Sequence, residues 1–293
     1  MKRQSIFKSK LLRLALVSLI FSLAFVYVAM SVYSALFLTV VSDRALGSLT
    51  PASYSLPYEE VAFSSPAEDK ITIRGWLVPK ADSPHVLILL HGQNANRSAS
   101  LPISKPLWEK GFNLLLLDLR GHGQSDGERH YYGQREQYDL VGAVSYLQNR
   151  GFKAGSIGIM GWSLGASVAI MAMSQSEGIQ AGVSDSGFAS LGNMLGIWSP
   201  GVSLIGRLTT GLDFDKVKPE AAIKQLGQRH VFIIQGDSDR NVPPDNAYKL
   251  KEAGGANVTQ FWMLAGVGHV GAYSSNPDEY IRRVTAFFAT ELK

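Results

Sequence analysis

The sequence predicts an α/β fold with a mostly parallel sheet, preceded by an apolar amino-terminal segment. Short apolar runs, each ending in Gly, Asp or His, alternate with stretches of helical pattern. Several of these runs are apolar at successive positions, as expected for strands that are buried on both faces. The 293 residues, 46% of them apolar, are enough for one large domain with an additional segment.

The composition excludes several classes of protein. The chain has no cysteine, which rules out a thiol nucleophile, disulfides and Cys-ligated metals. No His/Glu cluster at metal-binding spacing occurs, so we expect no metal or other cofactor. Outside the first 13 residues, the chain carries 23 basic and 24 acidic residues, a balance that indicates no nucleic-acid surface. The other five basic residues precede position 14 without an acid: Lys2, Arg3, Lys8, Lys10 and Arg13.

The apolar segment Leu14–Val41 contains no charged residue. A membrane span needs about 20 apolar residues and a signal-peptide core only about 7–15, so the length favours a retained anchor. A cleaved signal is the alternative, with small residues such as Ser31 and Ala35 near a cleavage site. Because basic residues stay cytoplasmic, we expect the amino end inside and the following domain outside. The predicted divisions are a basic segment (1–13), an anchor (14–41), a linker (42–59) and a catalytic domain (60–293).

The strands and helices follow from the pattern. "VAF" and "ITIRGWLV" form a predicted antiparallel pair. The further predicted strands are "VLILLHG", "FNLLLLDLRGHG", "SIGIMGWSLG", "AGVSDSG", "VFIIQGDSD" and "TQFWML". The predicted helices are 135–148, 166–176, 245–253 and 278–292.

Reactive side chains collect where these strands end. In a parallel sheet the carboxyl ends of the strands meet along one edge, and ligands bind there. The residues at these ends are His91, Asp118, Ser163, Asp185, Asp237, Asp239 and His269. This set contains a nucleophile, several acids and a base.

Two serines lie between glycines, in "GWSLG" and "GQSDG". Ser163 stands directly between a predicted strand and a predicted helix, where a sharp turn would expose its hydroxyl and the glycines would prevent clashes. Ser125 comes several residues after its strand and before a loop-like stretch. We therefore predict Ser163 as the nucleophile and Ser125 as a turn residue.

A serine nucleophile needs a base, and the base needs an acid to orient it. His269 follows the last strand in a glycine-rich loop. The other histidines begin strands or lie in turns or loops, except His91, which ends a strand where the next residues are better placed to use their backbone. Asp239 follows a buried strand, with Asp237 and Asp185 as alternatives. The backbone N–H groups of Gln93 and Leu164 are the predicted oxyanion donors.

The motifs together resemble the α/β-hydrolase superfamily, and within it membrane-anchored bacterial hydrolases of the serine-aminopeptidase-like or lysophospholipase-like kind. The resemblance runs from about Glu60 to the end and implies an eight-stranded type of sheet. It implies the same roles for Ser163, Asp239, His269, Gln93 and Leu164. Many relatives have His where this chain has Gln235, which we interpret as strand-end packing. The motifs are "HGQNANR", "DLRGHGQSDG", "YGQREQYDL", "GWSLGA", "GDSDRNVP" and "GVGH".

The stretch 187–212 is apolar and glycine-rich and is the predicted cap. It would cover an acyl chain or touch the membrane, or its residues would only pack a helix against the sheet. We expect a serine hydrolase that cleaves carboxylic esters of small or lipid-like acyl substrates. A peptidase or amidase of the same fold, and a membrane-tethered binding module without turnover, remain alternatives.

Overall fold

The computed structural model describes residues 2–293, with side chains from Lys10 onwards. Met1 and the side chains of Lys2, Arg3 and Lys8 lie outside the described part. One eight-stranded sheet forms the centre of the protein. Its strands are β1 (Glu59–Ser64), β2 (Thr72–Val78), β3 (Val86–Leu90), β4 (Asn113–Leu117), β5 (Ile157–Trp162), β6 (Ile179–Asp185), β7 (His230–Gly236) and β8 (Val258–Leu264).

The strand order confirms the predicted fold class. The order across the sheet is β1-β2-β4-β3-β5-β6-β7-β8. The first two pairings, β1 with β2 and β2 with β4, are antiparallel, and every later pairing is parallel. The carboxyl ends of β3 to β8 therefore lie along one edge, which is where the sequence predicts the site.

Ten α-helices surround or precede the sheet in the described residues. The four predicted helices correspond to α3, α4, α8 and α10, with ends shifted by at most two residues. The pattern does not predict α2, which contains Pro102 in its first turn and Pro106 in its interior. The helices are α1 (Lys2–Phe37), α2 (Leu101–Glu109), α3 (Glu136–Asn149), α4 (Leu164–Gln175), α5 (Leu191–Leu195), α6 (Ser199–Thr209), α7 (Pro219–Ala222), α8 (Asp245–Gly254), α9 (Ala272–Ser275) and α10 (Pro277–Glu291).

The sheet is covered on both faces, which explains its unbroken apolar runs. All five residues of β3 are buried. Side chains at alternate positions point to opposite faces, so Ile88 belongs to one core and Leu87 and Leu89 to the other. Burial on both faces removes any need for polar residues at alternate positions.

The amino-terminal helix α1 is long and apolar. Its part from Lys10 to Phe37 has 28 residues and contains an 18-residue stretch with a mean hydropathy of 2.3, and most of its surface is exposed. At a rise of about 1.5 Å per residue this part is about 42 Å long, which is enough to cross a bilayer.

The segment 42–59 that follows α1 packs against the sheet domain. The Arg44 guanidinium donates hydrogen bonds to the carbonyl oxygens of Gly123, Ser125 and Gly127. Further on, Leu56 is buried in the core. The predicted linker is therefore part of the folded unit, and the end of α1 has a fixed place beside it.

Three buried histidine rings contact one another near the loop that follows β4, in edge-on and tilted arrangements. The ring centroids of His91 and His122 are 4.8 Å apart, and those of His122 and His130 are 5.2 Å apart. Burial lowers the pKa of His122 to about 2 and that of His130 to about 3, and it also lowers the pKa of His91. The folded domain therefore holds these rings in the neutral form.

This cluster predicts a pH-dependent contribution to stability. The unfolded chain binds a proton at each histidine below about pH 6.5, whereas the folded state does not, so this contribution is complete above pH 6.5 and falls as the pH falls. The variant His122→Asn removes one such group. Between pH 6.5 and pH 5, the free energy of unfolding of this variant should fall by about 2 kcal/mol less than that of the unmodified protein.

Denaturant unfolding of both proteins, with the values at pH 8 as the common reference, checks this prediction. Parallel stability curves for the two proteins would contradict it.

Candidate active site

Ser163 lies in a sharp turn between β5 and α4. The strand ends at Trp162 and the helix begins at Leu164, so a single residue reverses the chain. Its backbone has φ 53° and ψ −115°, a conformation that non-glycine residues rarely adopt. Such strain costs about 1–3 kcal/mol and persists only where the surrounding structure holds it.

The two glycines that flank Ser163 are required by packing. A Cβ atom at Gly161 would lie 2.2 Å from the carbonyl carbon and oxygen of Gly165. A Cβ atom at Gly165 would lie 2.4 Å from the carbonyl oxygen of Leu90. Neither position has room for a side chain, so "GWSLG" is a structural unit here and not a chance match.

Ser125, in the second such match, has a different environment. It is buried, its hydroxyl donates to the Asp118 carbonyl oxygen at 2.7 Å, and its Oγ accepts from the Arg74 N–H at 2.9 Å. Both bonds hold a turn together, as the sequence predicts for this residue.

His269 links Ser163 to Asp239 by hydrogen bonds. Its Nδ1 lies 2.7 Å from Asp239 Oδ2, and its Nε2 lies 2.9 Å from Ser163 Oγ. Because an ionised carboxylate only accepts, Nδ1 carries the proton, and Nε2 is left to accept from the serine hydroxyl. The geometry is that of a serine activated by an oriented base.

The Asp239 carboxylate is buried and fully hydrogen-bonded. Its Oδ1 accepts from the N–H groups of Asn241 and Val242, each at 2.9 Å. Its Oδ2 accepts from the Gln235 side-chain amide at 3.0 Å as well as from His269. Gln235 is therefore more than strand-end packing, because its amide holds the carboxylate that faces the histidine.

The alternative acids have other partners. Asp185 is buried and accepts from the hydroxyls of Tyr280 at 2.7 Å and Ser186 at 2.9 Å, and burial raises its pKa to about 6. Asp237 is exposed and accepts from the Gly266 N–H at 2.7 Å, which braces the loop before His269.

The two predicted oxyanion donors border Ser163. A Cβ atom at Gly92 would lie 3.4 Å from the Cβ atom of Ser163, which brings the turn before Gln93 against the serine. In the described part of the protein, the N–H groups of Gln93 and Leu164 donate no hydrogen bond. The N–H of Leu164 also lies at the start of α4, where the helix dipole favours negative charge.

A cavity of about 680 Å³ opens over Ser163 and His269. Its wall combines the carboxyl ends of the strands with Leu191, Met194 and Leu195 of the cap. Among the described side chains, no Asp, Glu, Lys or Arg lines it. The described residues also contain no group of three or more His, Asp or Glu side chains that could hold a metal ion.

Two further residues border the cavity that the motif analysis does not single out. The Tyr132 hydroxyl lies 3.1 Å from Gln93 Oε1 and 3.2 Å from the carbonyl oxygen of Leu38. Burial raises the pKa of Tyr132. Leu38 follows α1 directly, so its place in the cavity wall depends on how α1 packs against the domain. Tyr132 is the first residue of the motif "YGQREQYDL", but the sequence alone assigns it no role.

Comparison with known proteins identifies the family. The prolyl oligopeptidase family (Peptidase_S9) matches residues 100–293, which is about two thirds of the chain. The chain therefore belongs to this family, and it has the α/β-hydrolase fold that the resemblance implied. It is a hydrolase of that fold.

Individual relatives extend over most of the chain. The uncharacterized protein YqkD of Bacillus subtilis (strain 168) is 28% identical over 243 residues, covering 78% of this chain and 79% of YqkD. The solved structure of the Pyrococcus furiosus esterase Pf2001 is 26% identical with a TM-score of 0.72, covering 87% of this chain and 99% of the esterase. The acylaminoacyl peptidase of Pyrococcus horikoshii has the same fold, at 18% identity and a TM-score of 0.62, and the match covers 81% of this chain and 42% of the peptidase.

The tight turn predicts a sharp difference between two glycine variants. Gly161→Ala should force α4 away from β5 and destabilise the protein by about 2–3 kcal/mol. Gly268→Ala, beside His269, is the matched control, because its Cβ would have no neighbour within 4 Å. Thermal unfolding of both variants measures the difference, and equal stability of the two would contradict the packing described here.

Proposed function

We propose that this protein is a serine hydrolase that cleaves carboxylic esters of apolar acyl groups. The observation that carries the proposal is the hydrogen-bonded chain of Ser163, His269 and Asp239 at the base of an uncharged, mainly apolar cavity. A neutral acyl ester suits such a cavity, because burying a charged group without a partner is costly. The similarity to the esterase Pf2001 supports the same reaction.

In the proposed mechanism, Ser163 Oγ attacks the ester carbonyl carbon and its proton passes to His269 Nε2. Asp239 stabilises the resulting imidazolium through the hydrogen bond at Nδ1. The oxyanion of the tetrahedral intermediate accepts hydrogen bonds from the N–H groups of Gln93 and Leu164. The C–O bond of the ester then breaks, and the leaving alcohol takes the proton from Nε2. Water, activated by the same histidine, hydrolyses the acyl-enzyme.

Membership of the prolyl oligopeptidase family favours a peptidase as the second candidate. An enzyme that selects a free amino terminus needs an acidic partner for the ammonium group, and no acidic side chain lines the described cavity. Hydrolysis of aminoacyl anilides at rates above those of p-nitrophenyl esters would favour the peptidase. A tethered binding module, the third candidate, would turn over neither.

Replacing the nucleophile tests the proposal directly. Ser163→Ala should lower kcat for p-nitrophenyl butyrate by about 10⁵–10⁶-fold and abolish labelling by a fluorophosphonate probe. Ser125→Ala is the control and should keep the label. Undiminished labelling of Ser163→Ala, or loss of labelling in Ser125→Ala alone, would overturn the assignment.

We further propose that α1 anchors the protein in a membrane with its amino end cytoplasmic and the hydrolase domain on the opposite side. The five basic residues before Leu14 favour this orientation, and the helix is long enough to span the bilayer with some tilt. Protease added to intact bacterial spheroplasts should digest the domain. Protection until lysis would reverse the orientation, and a mature chain that begins within 31–36 would mean a cleaved signal.

A further inference from the structure

The cap leaves three large apolar side chains exposed. Ile197, Leu204 and Leu208 are 78%, 60% and 76% exposed. Leu204 and Leu208 are one helical turn apart on one face of α6, and Ile197 lies in the short 3-10 helix directly before it. Large apolar side chains that are exposed close together in the chain point to an interaction surface.

The same cap packs against one face of α1. The Tyr27 hydroxyl donates to the Ile197 carbonyl oxygen at 3.2 Å and accepts from the Gly201 N–H at 3.0 Å. The rings of Tyr27 and Trp198 are stacked, with centroids 5.3 Å apart. Ser31, four residues after Tyr27, is buried against Gly201, where an added Cβ would lie 2.3 Å from its Oγ. The polar groups of this part of α1 therefore face the cap and not the surroundings.

The position of this contact along α1 sets the depth of the cap. A hydrocarbon layer that takes about 20 residues, counted from Leu14, ends near Tyr33. Tyr27 lies six residues earlier, which is about 9 Å deeper at 1.5 Å per residue. Amphipathic helices at membrane surfaces bury their apolar faces by about 5–10 Å. The cap thus reaches the depth at which an apolar helix face is stable in lipid.

The cap and the end of α1 also form part of the wall of the active-site cavity. Leu191, Met194 and Leu195 line the cavity from the cap, and Leu38 lines it from the chain directly after α1. Within the cap, α5 thus encloses the acyl site, and α6, which follows it in the chain, carries the exposed apolar residues.

We propose that α6 lies in the bilayer leaflet on the side of the hydrolase domain, and that the active site takes its acyl ester from that leaflet past the cap. The occupant of the exposed apolar face is thus the lipid bilayer. The part of the proposal that concerns substrate entry rests on the proposed function, whereas the depth of α6 does not. A single-chain amphiphile, with its acyl tail in the membrane and its ester at the surface, is the substrate class that fits.

The depth of α6 can be measured without catalysis. Because the chain contains no cysteine, Leu208→Cys creates a single site for the fluorophore NBD. Tyr248→Cys, on α8 and 54% exposed, is the matched control. In phosphatidylcholine vesicles that contain the full-length protein, the label at position 208 should emit at shorter wavelength and be quenched by doxyl-labelled lipids, and the label at 248 should not. Water-like, unquenched emission from position 208 would overturn the proposal.

Substrate entry needs a second experiment with the double variant Leu204→Ser/Leu208→Ser. Turnover of 1-oleoylglycerol embedded in vesicles should fall by at least about tenfold, because two side chains lose their favourable transfer into lipid. Hydrolysis of water-soluble p-nitrophenyl butyrate should stay unchanged, which also shows that the variant is folded. Tyr248→Ser should change neither activity.

The outcomes separate the two proposals. Equal loss of both activities in the double variant, or no loss of either, would contradict entry from the bilayer. If p-nitrophenyl butyrate is not hydrolysed in a Ser163-dependent manner, the proposed function fails, while the fluorescence result still decides whether α6 lies in lipid.

Discussion

The turn at Ser163 is the constraint on which the other parts of the site depend. A strained residue can stand between β5 and α4 only if the helix begins directly behind the strand, and this brings Gly161 within contact of Gly165. The same approach presses Gly165 against the carbonyl end of β3, so the turn that carries Gln93 lies beside the serine. The strain is held by the packing of two strands and a helix, which the apolar core supplies.

The histidine and its acid depend on a second close approach, between β7 and the loop after β8. A Cβ atom at Gly236 would lie 2.2 Å from the carbonyl oxygen of Val267, so this loop rests on the strand. On the other side of His269, the Val270 N–H donates to Ser186 Oγ at 3.2 Å, beyond the end of β6. The His269 ring is thus held between the ends of β6 and β7. Gln235 holds the Asp239 carboxylate to which this ring is hydrogen-bonded.

Much of this arrangement could be predicted from the sequence, because it follows from local rules. Strands buried on both faces give continuous apolar runs, parallel strands bring their carboxyl ends together, and a serine between glycines at a strand–helix junction predicts the turn. The contacts of Gln235 and the packing of residues 42–59 could not be predicted in this way. They join residues far apart in the sequence, and neither an amide at a strand end nor a proline-containing connection indicates its partner. The helix α2 was missed for a local reason, because its two prolines argue against a helix although one occupies the tolerant first turn.

The proposed function requires that an acyl group forms on Ser163 during turnover. Rapid acid quenching of the full-length protein during turnover of p-nitrophenyl butyrate, followed by peptide mass spectrometry, measures this directly. The proposed function predicts one butyryl group on the peptide that contains Ser163, and none on that peptide in Ser163→Ala. A butyryl group on Ser125, or turnover without any acylated peptide, would contradict it.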